Sequence, residues 1–220
     1  MIDKFLRKIQ QPKMRELWNN KDDEIWDSPA KVIIGVTGSV GSGKTTVSGI
    51  FRKYGFVVIN ADEIGHGILK KNSVAYKKIV KGFGNGILDR KKNIDRKRLG
   101  SVVFNDDKKL KRLNSITHPT IINEIKNKIR KYGKTGIIID APLLLETREK
   151  NLADKIIVVK CSIKNIIKRN KKFLKEKIEK ILKLQMPLEE KLRFADFTID
   201  NNKDLKHLEK QVNKIIEELN

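Results

Sequence analysis

The chain has 220 residues, 39% hydrophobic and 35% charged, with 49 Lys and Arg against 27 Asp and Glu for a formal charge of +22. That length holds one domain, or one core with an inserted lobe. No apolar run approaches the roughly 20 residues of a membrane span, which predicts a soluble, cytoplasmic protein with no membrane partner. The single cysteine, Cys161, excludes an internal disulfide and agrees with a reducing compartment. Dense positive charge admits nucleic acid as a partner, through counterion release. Here the lysines are dispersed along the predicted helices with few aromatics among them, which favours a solvated surface over a nucleic-acid footprint. The same charge suits a polyphosphate substrate.

Residues 1–30 stand apart as an N-terminal amphipathic extension: Ile2, Phe5, Leu6 and Ile9 keep helical spacing, and both tryptophans, Trp18 and Trp26, lie here. The stretch lacks a signal-peptide apolar core, and its acidic residues argue against a transit peptide. It is expected to pack on the domain or on a partner. From Lys31 the pattern becomes α/β. Val32–Thr37 is short, apolar and β-branched, as a strand buried on both faces should be. It is followed by G-S-V-G-S-G-K-T and a helical stretch that Gly55 is placed to stop. A second strand, Phe56–Asn60, delivers Asp62 just past its end. From about Ile64 to Lys131 lysine-rich helical patterns replace the strands, broken by F-G-N-G-I-L-D at Phe83–Asp89. Pro119 predicts a helix start with Thr117 or His118 as its cap. Ile137–Asp140 and Ile156–Lys160 read as the third and fourth strands, the latter leading into a helix that Ser162 can cap. A basic helical stretch, a short strand at Phe197–Asp200 and an amphipathic helix complete the chain.

Strands alternating with helices predict a parallel sheet flanked by helices, with the active site beyond the carboxyl ends of the strands. Thr37, Asp62, Asp140 and Cys161 fall at or near those ends. The helical insert of about 64–131 would then be an acceptor-binding lobe on a core domain of 31–220. Cys161 fits a small core residue better than a nucleophile.

Gly38-Ser39-Val40-Gly41-Ser42-Gly43-Lys44-Thr45 is a complete G-x-x-x-x-G-K-[ST] phosphate-binding loop. Its glycines let the chain wrap closely, and its N–H groups and the following helix N-terminus can cradle a β-phosphate. Lys44 can bridge β- and γ-phosphates and the Thr45 hydroxyl can coordinate Mg²⁺, so ATP with Mg²⁺ is the expected co-substrate. The match is strong for nucleotide binding and silent on the acceptor. Asp62 is placed either to orient an acceptor hydroxyl and take its proton or simply to cap a helix. Asp140 is either a carboxylate that holds Mg²⁺ through water or a cap or partner of Lys44. His118 could touch the acceptor or be a packed residue. The basic segment Lys164–Lys183 is a solvated face on charge alone, though a helix pair there could close as a lid over the phosphates.

Together these residues resemble the dephospho-coenzyme A kinase family over about Lys31 to Leu219. The motifs run in order: I-G-V-T-G-S-V-G-S-G-K-T-T, I-N-A-D-E-I (Ile59–Ile64), F-G-N-G-I-L, I-D-R-K-R-L-G-S-V-V-F (Ile94–Phe104) and L-N-S-I-T-H-P-T-I (Leu113–Ile121). I-D-A-P-L-L-L-E, Q-M-P-L-E-E-K (Gln185–Lys191) and A-D-F-T-I-D-N close the series. The resemblance implies a P-loop kinase that transfers the ATP γ-phosphate to the ribose 3′-hydroxyl of dephospho-coenzyme A, the last step of coenzyme A synthesis. It makes Asp62, with Lys44, the catalytic pair. It assigns ATP to Gly38, Gly41, Ser42, Gly43, Lys44, Thr45, Thr46 and Asn201, and the acceptor to Asp62, Arg96 and His118. The lid residues would be Arg169 and Lys172. Two departures stand out: R-N-K-K-F-L-K-E (Arg169–Glu176) is shortened, with lysines where the family carries an arginine and an acidic turn, and Asn202-Lys203 replaces the glycine usual after the last Asp-Asn. Lysine keeps the charge but loses the fork that grips phosphate from two sides.

Overall fold

The computed structural model describes residues 30–104, 106–169, 175–182 and 185–219. Five parallel strands form one sheet: β1 (Val32–Gly38), β2 (Val57–Asn60), β3 (Gly136–Asp140), β4 (Lys155–Lys160) and β5 (Phe197–Asp200). Their order is β2-β3-β1-β4-β5, so β1 is central and the connection from β3 to β4 passes over it. In register, Val36 lies opposite Asp140 on one side and Ile157 on the other, and Asn60 lies opposite Asp140. The acidic end of β3 is thereby level with the end of β2, and on the strand next to β1 it stops two residues short of Gly38.

Of the described residues, 61–128 form one compact unit and the rest form a second. The second unit is built on the sheet. Helix α1 (Lys44–Lys53) supplies Val47, Ile50 and Phe51 to a core completed by Ile34, Val36, Ile138, Ile157, Val159 and Ile199. The C-terminal helix, which is α9 (Leu205–Leu219) in chain order, adds Leu208, Val212 and Ile215 to the same core. Strand positions two apart point to one face, so Ile34 and Val36, like Ile157 and Val159, share a single layer. Burying each such side chain contributes about 1.5–3 kcal/mol, which is what holds α1 against β1 and fixes the loop between them.

The first unit is helical. It comprises α2 (Ala61–Gly67), α3 (Val74–Phe83), α4 (Arg96–Phe104) and most of α5 (Asp107–Tyr132). Three of the starts, those of α3, α4 and α5, have a local cause: Ser73 Oγ accepts the Tyr76 N–H at 2.9 Å, Asp95 Oδ1 the Lys97 N–H at 2.8 Å, and Asp106 Oδ1 the Lys109 N–H at 3.0 Å. The helix start expected at Pro119 is not there: α5 runs unbroken from Asp107, with Pro119 inside it. An interior proline costs roughly 3 kcal/mol through its missing N–H. Burial of Leu110, Leu113, Ile121 and Ile125 along one stripe outweighs that loss. The hydroxyls of Thr117 and Thr120 donate to Leu113 O and Ile116 O, at 3.1 and 2.9 Å, so they bond within the helix and do not cap it.

Candidate active site

The site begins where β1 ends. Gly38 has φ +146 and Gly43 has φ +93, both in the region that side chains avoid. A Cβ on Gly38 would lie 2.3 Å from Val159 O, and one on Gly43 would lie 2.1 Å from Asn201 Nδ2. Glycine is therefore required twice over, by backbone angle and by space. The loop closes through Ser42 N–H to Ser39 O at 3.1 Å, and α1 starts at once, with Val47 N–H on Gly43 O at 3.1 Å. The first turn of α1 contains no acidic residue. Its N-terminal N–H groups and partial positive charge therefore meet no competing carboxylate within the helix and suit an anion. Lys44 Nζ donates to Gly38 O at 3.2 Å and Ser39 O at 3.0 Å, so its ammonium is folded back over the loop. Ser42 Oγ is buried without a hydrogen-bond partner. A buried hydroxyl left unmatched is costly, and a phosphate oxygen would match it.

Loop and α1 line a cleft of about 400 Å³ with Arg169, Asn201 and Lys203. Asn201 Nδ2 donates to Ser42 O at 2.8 Å, which joins the turn after β5 to the phosphate loop. Arg169 ends α6 (Ile163–Arg169) and donates to Asn201 O at 2.7 Å and Lys203 O at 3.0 Å. Its guanidinium thus shapes the wall beside the loop. Lys172 lies outside the described residues, as do residues 1–29. The missing glycine is explained locally: among described non-glycine residues only Asn72 and Lys92 have positive φ, so Lys203 needs no glycine angle. Asn202 braces the turn instead, donating to Asp200 Oδ1 at 2.7 Å and accepting the Ser162 N–H at 2.8 Å. Partial burial pushes the Asp200 carboxyl up. The Asn202 main-chain and side-chain bonds and the Lys160 ammonium together outweigh it, so its pKa falls below the ordinary 3.8. The larger hollow, about 1030 Å³, follows α9 from Asp204 to Glu217 along a polar helix face and holds no phosphate loop.

Asp140 is 3% exposed, and the Ala141 N–H that follows it bonds Val36 O at 3.1 Å. Among the sequence candidates, the second unit therefore assembles Gly38, Gly41, Ser42, Gly43, Lys44, Thr45, Thr46, Asp140, Arg169 and Asn201 around the end of β1. Asp62, Arg96 and His118 belong to the helical unit. Asp62 sits in the first turn of α2, half-buried and two residues past Asn60. Arg96 opens α4, and His118 is buried within α5. Helices α2 and α5 adjoin, since a Cβ on Gly65 would lie 3.8 Å from Ile121 Cδ1.

Sequence reading assigned no role to a polar cluster behind the loop. Lys191, in α8 (Leu188–Leu192), and Glu146 are both fully buried at the side chain and pair at 2.9 Å. Lys191 Nζ also donates to Pro142 O at 2.8 Å, an oxygen that accepts the Thr37 hydroxyl at 3.2 Å as well. Met186 N–H bonds Glu146 Oε1 at 2.9 Å, and Val40 N–H bonds Gln185 Oε1 at 2.9 Å. Burial pushes the Lys191 amine below its ordinary pKa, and Glu146 partly restores it. These partners are about 40 to 145 residues apart, so no local periodicity could reveal them. Cys161 is buried, and loss of solvent raises its thiol pKa, so it is a core residue and a poor nucleophile.

A central parallel strand feeding a phosphate loop and helix, with a carboxylate at the end of the adjoining strand, defines a P-loop kinase fold. The fold is shared with a crystal structure from Thermus thermophilus at a TM-score of 0.75, with 24% identity over 87% of this chain and 99% of that one. A dephospho-CoA kinase structure from Campylobacter jejuni superposes at a TM-score of 0.63, with 33% identity over 86% of this chain and 97% of that one. In sequence, the chain is 41% identical to a dephospho-CoA kinase of Aquifex aeolicus and 43% identical to one of Fusobacterium nucleatum. Each match spans 84% of this chain and at least 96% of the relative. The family model described as dephospho-CoA kinase matches residues 32–207. The chain belongs to the dephospho-CoA kinase family, which carries out the final ATP-dependent step of coenzyme A biosynthesis.

Proposed function

We propose that this chain transfers the γ-phosphate of ATP to the ribose 3′-hydroxyl of dephospho-coenzyme A, giving coenzyme A and ADP. The observation that carries the reading is a complete phosphate loop, with buried Ser42 Oγ and a folded-back Lys44, in a chain whose family is defined by that reaction. The loop N–H groups and the α1 N-terminus bind the β-phosphate. The Lys44 ammonium leaves the carbonyls of Gly38 and Ser39 for the β- and γ-phosphate oxygens, where it offsets charge as the bond to the leaving ADP breaks. Asn201 and Arg169 wall the nucleotide side. Asp62 orients the acceptor hydroxyl and receives its proton as the new O–P bond forms. Arg96 and His118 bind the acceptor.

Hard oxygen donors suit Mg²⁺, and the Thr45 hydroxyl with the Asp140 carboxylate, acting through water, would hold it. Among the described residues no group of three His, Cys, Asp or Glu is placed to hold an ion. That fits an ion carried mainly by nucleotide phosphates, which when bound would neutralise charge on the β- and γ-oxygens. We place the activity in the cytoplasm, where ATP and a reduced thiol belong. No described helix is long and apolar enough to cross a membrane. Nucleic acid is not part of this reading, and the surplus lysines serve as solvated surface.

The test is direct. The protein with ATP, Mg²⁺ and dephospho-coenzyme A should form one coenzyme A per ADP, and Lys44→Ala should lower the rate by about a thousandfold or more, as loss of a phosphate-clamping cation does. ADP release without coenzyme A, or a Lys44→Ala enzyme with near-normal turnover, would overturn the reading.

A further inference from the structure

The phosphate loop is anchored from outside itself at Ser42, whose carbonyl accepts the Asn201 amide, and on its other side at Val40. The Val40 side chain packs with the buried cluster of Cys161, Ile166 and Ile178, together with Leu182. Ile166 lies on α6, and Ile178 and Leu182 lie on α7 (Lys175–Leu182). Its main-chain N–H donates to Gln185 Oε1 at 2.9 Å, across 145 residues of sequence. Gln185 is 5% exposed, and its own N–H bonds Leu182 O at 3.2 Å, which places it at the foot of α7. On its other side, Met186 N–H and Lys191 Nζ are fixed on Glu146, and Lys191 reaches Pro142 O, just past Asp140. The segment 185–191 therefore holds both the loop after β1 and the turn after β3.

We infer that Gln185 is a positioning residue for phosphoryl transfer: its side-chain oxygen holds the tip of the phosphate loop, through the Val40 N–H, to the foot of the basic helix α7. The physical reason is preorganisation. A loop that cradles phosphate must keep several N–H groups converged before ligand arrives, and each alternative conformation dilutes the competent state. Apparent affinity falls by that same fraction. A glycine-rich loop is prone to such dilution, because glycine adopts many backbone angles. Val40 is a non-glycine position next to the loop's central glycine, where one bond and one apolar contact remove the most freedom. Gln185 is buried while the bond it accepts is half-buried, so loss of its oxygen leaves the Val40 N–H only partial access to water in exchange. The same bond ties any movement of α7 to the shape of the loop.

The inference rests on the phosphotransfer reading for its role but not for its test. In Gln185→Leu, hydrogen exchange at the Val40 amide, followed by NMR on the nucleotide-free protein, should accelerate about tenfold or more. The Kd for ADP and the KM for ATP should each rise about tenfold. The KM for dephospho-coenzyme A should move little, and the nucleotide-free melting temperature should fall by only a few degrees, the cost of one lost hydrogen bond. Gln185→Glu, which keeps an acceptor oxygen of the same reach, should restore Val40 protection. The inference is overturned if Gln185→Leu leaves Val40 exchange unchanged, or if Gln185→Glu exchanges as fast as the Leu variant. It is also overturned if both KM values shift together and the melting temperature falls well beyond those few degrees, since that is the signature of general packing. Amide exchange and ADP binding need no turnover, so a wild-type chain inactive on dephospho-coenzyme A would sink the functional reading without deciding this one.

Discussion

Asp62 is the residue at which one substitution can tell binding from chemistry. It belongs to the first turn of α2 rather than to the sheet-built unit that carries the phosphate loop. A role on the acceptor hydroxyl predicts that Asp62→Asn keeps ATP affinity within about twofold while kcat falls by about a hundredfold or more, the range for loss of a general base. Isothermal titration with an ATP analogue alongside steady-state kinetics measures both. Equal loss of affinity and turnover would assign Asp62 a structural role instead. The single cysteine makes the contrast at this scale: Cys161 also sits at a strand end, yet burial raises its pKa and its sulfur packs beside Ile166 and Ile178.

Among the elements, the turn after β5 shows a local solution replacing an expected one. Asn202 takes the place of a glycine-dependent turn by bonding Asp200 on one side and Ser162 on the other. Because the Asp200 carboxyl is held below 3.8 in the folded chain, its stabilisation is present above 3.8 and is lost as pH falls through the lower folded value. Asp200→Asn should therefore melt a few degrees below the wild type at pH 6, a small effect suited to a half-exposed group. That gap should close progressively below pH 3.8, and a gap that widened in acid would contradict the assignment. The strand–loop–helix unit was legible because its signals are local: a β-branched run, glycines at forced angles and a lysine at fixed spacing. Pro119 was misread because its local signal yields to a buried stripe that runs the length of α5. Gln185, Glu146 and Lys191 lay within motifs that the resemblance quoted. Their roles were not readable, since those depend on strands brought together from distant parts of the chain.

The chain carries a net charge of +22, and its exposed and buried charges obey different rules. Exposed ion pairs such as Lys53 with Glu209 and Lys214 with Glu218 contribute little. The Lys191–Glu146 pair is fully buried and joins α8 to the turn after β3. Lys191→Met strands a carboxylate in the interior and should cost about 3–5 kcal/mol in urea unfolding. Lys191→Met combined with Glu146→Gln should regain part of it, because a neutral amide still accepts the Met186 N–H. A single variant that lost less than about 1 kcal/mol would show that the pair is dispensable.

Comparing acceptors against one phosphate donor measures directly whether dephospho-coenzyme A is the substrate. With ATP and Mg²⁺ fixed, kcat/KM is measured for dephospho-coenzyme A and for a panel of nucleoside monophosphates and small hydroxylated metabolites. Dephospho-coenzyme A should be preferred by about a thousandfold or more, with the product phosphorylated on the ribose 3′-oxygen. Comparable or better turnover of a nucleoside monophosphate would contradict that assignment.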